Sequence, residues 1–436
     1  MSMTMLRGTD SITFRSQSNV ELCRPQRLHR RSVGEKTVPV LNLRSPSPRH
    51  SVSTSTRRTR TSAFSSYREF VPPESEAQAL MESARCQFED LVQRGDNLEC
   101  LGKAALLIAL EEEAAAMHTI LLEGLSWGAA EDELELGSEM TWSLSRLDAL
   151  ASEAKAAFET ACRRDWDTEA ASPSDYPVTA LESLNHVLFE RHGYTRPNSH
   201  HNNSPDNSLL PKVLEQGSGS PLLLGVLYIE VARRMGLILE GAPLSEGPGS
   251  DYFVVWPQMH FGTCGMELVI DAYDKGQLWK KDEMMGLFDK ENLEPAGQHE
   301  MLCSMLGSLR DAYWARAIGC QAEPNLMIPI SLRDAAEGTW AWGRQYFFER
   351  ALAAVEKQIL VLRDEADLRE AHMQRALLLY HAGKYDDAWV ELGALQEALC
   401  TSEDKCAETE ETLKLLVERV RLQLMADEQM WEVDMH

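Results

Sequence analysis

The sequence predicts an α+β protein that is mostly helical, with a small antiparallel sheet at its centre and an all-α tail. Three observations carry that expectation. Long stretches alternate charged and apolar residues at helical spacing. Two short central runs, Tyr252–Trp256 (YFVVW) and Met266–Ile270 (MELVI), are β-branched and aromatic and are bounded by Gly, Ser and Pro. From about Trp340 onward the pattern is helical throughout.

Residues 1–66 come first and differ from everything after them. Segments such as RSPSPRHSVSTSTRRTRTSAFSS are rich in Ser, Thr and Arg and lack a hydrophobic period, so they cannot build a core. They read as an organellar transit peptide, the abundance of Ser and Thr favouring the chloroplast over the mitochondrion, or else as an uncleaved disordered arm. No apolar stretch suits a secretory signal.

Residues 74–176 form a helical lead-in. Helices are expected over Glu74–Arg94, Leu98–Leu125 and Ser143–Arg164, the second carrying LGKAALLIALEEEAAA, a run of strong helix formers. Its acidic triplet Glu111, Glu112 and Glu113 reads as a solvated helix face. A loop at Ser172–Tyr176 ends the region.

Residues 177–320 form the core. LESLNHVLFERHGY gives a short amphipathic helix closing at Gly193, and the polar loop TRPNSHHNNSPDNS follows. His200 and His201 in that loop have no carboxylate or thiol companions at ligand spacing, so they read as solvated. The stretch Gly219–Gly236 (GSPLLLGVLYIEVARRMG) has both helix ends written into it. Ser220 suits the N-cap, Pro221 the first helical position and Gly236 the left-handed residue that closes the helix. Apolar residues cover nearly every face, leaving Glu230, Arg233 and Arg234 charged near the far end. Such a helix is buried, and its first turn carries no nucleophile. The strand pair then packs on it as a hairpin, and beyond Gly276 the chain is expected to be helical again, including Met301–Ala317.

The tail, residues 340–436, contains two helical periods joined by Gly383-Lys384-Tyr385. Ala376 and Ala388 are small enough for close helix approach, with Tyr385 packing between them. This hairpin resembles a tetratricopeptide repeat, without the usual proline after the second helix and with Leu395 where a small residue is usual. Ala354, thirty-four residues before Ala388, suggests a degenerate preceding repeat.

Composition limits the function classes. The 436 residues are 44% apolar with a net charge of −25. Residues 1–64 hold 12 Lys and Arg against 3 Asp and Glu, which leaves 31 against 65 for the rest. A body this acidic repels phosphate backbones and anionic membrane surfaces, so nucleic acid is not an expected partner. Nine scattered cysteines with no C-x-x-C pair fit reduced thiols better than a disulfide framework or a zinc site. No apolar run reaches the length of a membrane span.

Taken in order, LNHVLFERHGY, PDNSLLPKVLEQGSGSPLLLGVLYIEVARRMGLILEGAPL, DYFVVW and LVIDAYDKGQL resemble the transglutaminase-like core of SirB-type proteins. The likeness runs from about Leu98 to Leu309. Asn207 and Ser208, Gly219 and Pro221, Tyr228 and Glu230, and Asp271 fall in register as cleft or structural motif positions. The resemblance implies a papain-like core, a buried helix against an antiparallel sheet.

In active members of that superfamily, the resemblance implies a Cys at the start of this helix, with a His and an Asp on adjacent strands. A helix N-terminus and a neighbouring His⁺ both stabilise a thiolate. Here the helix start has Leu222 and Leu223, the His position is Tyr252, and only Asp271 remains. Asp271 also suits a turn or cap, and Tyr252 a strand aromatic. The expected function is a non-catalytic adaptor or scaffold that binds a protein partner, without cofactor or metal. The alternative is a cysteine-dependent amidase, peptidase or acyl transferase with a relocated nucleophile, Cys264, beside His260.

Overall fold

Pro221 and Gly236 bound the central helix as its sequence dictates. Ser220 Oγ accepts the Leu223 N–H at 3.2 Å, and Gly236 turns the chain with φ of 97°. The Leu237 N–H then reaches back to the Ala232 carbonyl at 2.9 Å, closing the last turn. Every residue from Leu222 to Ala232 is buried, because neighbouring elements pack on all sides of it.

A computed structural model of the chain describes residues 73–94, 101–122, 138–166, 172–197, 204–244, 252–257, 268–288, 293–318, 340–401 and 407–434. The expected transit segment lies outside the described residues. Helices α1 (Pro73–Gln93), α2 (Leu101–Leu122) and α3 (Ser138–Trp166) lead in. Then come α4 (Pro177–Asn185), which runs on as a π-helical turn over His186–Arg191, and a 3₁₀ turn at Pro205–Ser208. Helices α5 (Leu210–Gln216) and α6 (Pro221–Met235) precede the sheet.

The sheet has four antiparallel strands in sequence order: β1 (Leu239–Pro243), β2 (Phe253–Pro257), β3 (Leu268–Asp271) and β4 (Gln277–Lys280). The sequence foresees the central pair, in which Val255 faces Ile270. It does not foresee the edges. The segment of β4 was expected to be helical, but QLWK instead pairs along β3 from Lys280 to Gln277. β1 carries Gly241 and Pro243, which local propensity disfavours in strands, and is held by pairing with β2.

Alternation along the central strands serves two cores. Phe253, Val255 and Ile270 join the main core with α6. Val254 and Val269 point the other way, into a smaller core with Met284 of α7 (Lys281–Leu287) and with Leu293. The sheet is thus covered on both faces.

Helix α8 (Gln298–Ile318) leads to the tail helices α9 (Trp340–Val361), α10 (Glu365–His381), α11 (Tyr385–Thr401) and α12 (Ala407–Asp434). α9 packs along α8. α10 and α11 form an antiparallel hairpin turned at Gly383, whose φ is 73°. Ala376 and Ala388 are fully buried, and the Tyr380 and Tyr385 rings lie 5.7 Å apart.

The acidic triplet of α2 is not a solvated face. Glu111 and Glu112 are 1% and 4% exposed. Glu111 accepts from Arg85 Nη2 at 3.0 Å and pairs with Lys357 Nζ at 2.9 Å. Glu112 accepts a hydrogen bond from the Tyr313 hydroxyl at 2.7 Å and lies 3.7 Å from Arg350. α2 is buried nearly all round, and most of the groups that satisfy its carboxylates arrive from α8 and α9, far along the chain. Nothing in the local sequence signals them.

Candidate functional site: the start of α6 and the Tyr252–Asp271 pair

The first turn of α6 is the place where a helix N-terminus would activate a thiol. Leu222 and Leu223 fill it, and both are 0% exposed. Ser220 and Pro221 are partly exposed. The backbone leading into the turn is fixed by the segment before it. Ser220 N–H donates to the Asn207 carbonyl at 3.0 Å, and Gly219 N–H to the Thr195 carbonyl at 3.3 Å. Gly219 sits so close to Val213 that a Cβ would stand 2.8 Å from its Cγ2. Asn207 and Ser208 are both buried in the 3₁₀ turn.

Asp271 ends β3 and caps the 3₁₀ turn Ala272–Asp274. Its Oδ1 accepts the backbone N–H groups of Tyr273 and Asp274 at 2.9 and 3.1 Å. Its Oδ2 accepts the Tyr252 hydroxyl at 2.7 Å. Burial pushes the Asp271 pKa above the usual carboxylate value, while these hydrogen bonds pull it down. The Tyr252 phenol is pushed above its ordinary value first by burial and then by Asp271. A phenol held protonated at neutral pH donates and cannot serve as a general base.

Tyr252 is itself enclosed by aromatic rings. Tyr273 meets it edge-on at 5.7 Å and Phe288 lies at 4.9 Å. The Arg196 guanidinium covers Tyr273 at 5.2 Å and pairs with Asp274 at 3.2 Å.

Tyr228 of α6 holds the following turn against the helix. Its hydroxyl donates to Asn185 Oδ1 at 2.8 Å, and Asn185 Nδ2 donates to the Gly276 carbonyl at 2.9 Å. Gly276 has φ of 73°, and a Cβ there would overlap the Asn185 amide. Sequence reading misses Asn185, although an amide at the end of an apolar helix is a signal that a buried partner exists.

Glu230, named with the motif positions, serves the lead-in rather than a cleft. It is 1% exposed, and its Oε1 accepts the Gly102 N–H in the first turn of α2 at 2.9 Å. Arg233 and Arg234 hold its other oxygen. A carboxylate at a helix N-terminus satisfies an orphan donor and complements the helix dipole.

Cys264, His260, His200 and His201 lie outside the described residues. Among the described residues no group of three or more His, Cys, Asp or Glu side chains could hold a metal ion, and no described helix is long and apolar enough to cross a membrane. Cavities of about 220 and 350 Å³ flank Glu356 in the seam between α1, α9 and the helices after it.

The buried helix and the sheet packed on it lie in the region that comparison with known proteins also marks out. Residues 141–306 match the family model of the transglutaminase-like superfamily. The transglutaminase-like domain therefore takes in α3, the whole sheet and the first part of α8. The UPF0162 proteins of Xylella fastidiosa strains Temecula1 and 9a5c are each 29% identical to the chain over 175 residues. That similarity covers 35% of this chain and 59% of each relative. The chain thus spans less than two thirds of the curated relatives it matches. No solved structure matches it.

Proposed function

We propose that this chain is a non-catalytic protein of SirB type, acting in the plastid as a scaffold for a protein partner. Its transglutaminase-like domain and its tetratricopeptide-like tail are the surfaces that partner would use. One observation carries the reading. Asp271, the acid that would orient a catalytic His, receives the Tyr252 hydroxyl and two backbone N–H groups, and α6 begins with two buried leucines. Without thiol or imidazole, and with Leu222 and Leu223 closed to water, acyl transfer has neither a thiol nucleophile nor an imidazole base at this place.

Two experiments test it. Affinity capture from plastid stroma with the full chain and with a chain ending before Trp340 is expected to return a specific partner that depends on the tail. Identical protein lists from both would argue against the scaffold. Electrophilic thiol labelling at neutral pH is expected to mark no cysteine far ahead of the rest. Selective labelling of Cys264, lost in Cys264→Ala, would turn the reading toward a cysteine-dependent enzyme. Import into isolated chloroplasts, followed by N-terminal sequencing, tests the transit segment; a chain still beginning at Met1 or Ser2 would contradict it.

A further inference from the structure

The end of α4 is fastened to α3 through one imidazole. His192 closes the π-helical turn, its backbone N–H reaching the Val187 carbonyl at 3.0 Å, and Gly193 then turns the chain with φ of 72°. The His192 side chain is 19% exposed and stands between two side chains of α3. Arg146 Nη2 lies 3.0 Å from Nδ1, and Glu153 Oε2 lies 2.9 Å from Nε2. Arg146 and Glu153 are seven residues apart, about two turns, and so share one face of α3.

Arg146 decides which ring nitrogen carries the proton. A guanidinium only donates and never gives up its charge, so Nδ1 presents its lone pair and the single ring proton is on Nε2. That proton is donated to Glu153, whose same oxygen pairs with Arg191 at 3.1 Å. The His192 hydrogen bond, with burial opposing it, holds the Glu153 carboxyl below its usual value, so the acceptor stays ionised. The ring thus meets Arg146 and Glu153 from α3, with Arg191 of the π turn beside Glu153. Arg146 also bonds the hydroxyl of buried Tyr194, which reaches the Leu214 carbonyl at 3.4 Å.

We propose that Arg146, His192 and Glu153 form a proton-operated latch between α3 and the chain entering α6, closed while His192 is neutral. A solvent proton added at Nδ1 gives an imidazolium with two N–H groups. Nε2–H keeps its place on Glu153. Nδ1–H would face an Arg146 N–H at 3.0 Å, donor against donor and positive charge against positive charge. Arg146 is half-buried between exposed Ser145 and the buried Leu147, so its guanidinium has a way out to water. The link to α6 is short. Thr195, next to Tyr194, donates its N–H to the Gly217 carbonyl at 2.9 Å and accepts from the Gly219 N–H, one residue before the Ser220 cap. Opening the latch takes Arg146 from Tyr194 and loosens that bridge.

Urea unfolding of the full chain at about pH 8 and about pH 5, on either side of the range in which imidazoles titrate, is the test. Arg146→Ala is expected to raise the unfolding constant about tenfold at the higher pH, where it removes a charged hydrogen bond, and less than about threefold at the lower, where that bond is already open. His192→Gln supplies an amide that accepts from Arg146 and donates to Glu153 without titrating. In that background Arg146→Ala is expected to cost the same at both pH values. Nitrogen NMR signals of the imidazole rings at about pH 8, with His192 identified by its loss in His192→Gln, are expected to show the Nε2–H form. An Nδ1–H form, an equal cost of Arg146→Ala at both pH values in the otherwise native chain, or a pH-dependent cost that survives His192→Gln would each overturn the latch.

Discussion

Lys357 Nζ lies 2.9 Å from Glu111 Oε2, with both side chains 1% exposed, and joins α9 of the tail to α2 of the lead-in. Arg85 of α1 reaches the other oxygen of Glu111 and also approaches Glu356 of α9 at 3.7 Å. The lead-in pair α1–α2 and the distant tail helix α9 are therefore fastened by a buried Lys357–Glu111 pair with the half-exposed Arg85 at its edge.

Breaking that pair on one side should cost more than replacing both members. Lys357→Met leaves Glu111 with Arg85 alone and is expected to lower unfolding stability by about 3–5 kcal/mol. Lys357→Met with Glu111→Leu should recover much of this, because the unpaired buried charge is gone. Urea unfolding of the four chains of the cycle measures it. Equal losses in single and double variants would mean that the pair carries no special coupling.

Gly102 is expected to tolerate no side chain. A Cβ there would run into the Glu230 carboxylate, which also accepts the Gly102 N–H. Gly102→Ala should cost about 2–4 kcal/mol despite the higher helix propensity of alanine, since overpacking and a lost charged hydrogen bond both oppose it. Thermal unfolding decides, and a gain in midpoint would contradict the contact.

Glu113 should make stability fall as pH rises. Its pKa is raised to about 7, chiefly by burial and then by Glu139, with Lys212 opposing. Between the ordinary carboxylate value and about 7 the folded chain holds a proton that the unfolded chain has released. The stabilising effect of that protonated form is complete below the unfolded pKa and is lost as pH climbs through the folded one. The expected loss is roughly 1–2 kcal/mol once partial exposure is discounted. Glu113→Gln should flatten stability over that window and leave the variant more stable than wild type above pH 7. A pH series of denaturant midpoints that is unchanged by the substitution would refute this.

Restoring the missing groups should not restore chemistry. Leu222→Cys with Tyr252→His is expected to hydrolyse no ester or amide, because position 222 is closed to solvent. The new thiol should react with an alkylating reagent far more slowly in the native chain than in the unfolded one. Rapid native labelling of Cys at 222 would show an open first turn instead.

The residue types around Gly219–Gly236 determined the central helix, its cap and its end, since these are local matters of hydrogen bonding and backbone conformation. The β-branched runs likewise determined the inner strands, and that the first turn of α6 carries neither Cys nor His was legible at once. Only the tertiary structure decided how the sheet is bounded, because β1 and β4 are short edges held by pairing rather than propensity. It alone joined Asp271 to Tyr252 and Tyr228 to Asn185. It also moved Glu111 and Glu112 from an expected surface into the interior. A glutamate on a helix looks the same in sequence whether water or a distant lysine will meet its charge; packing of α2 against α1, α8 and α9 made the difference.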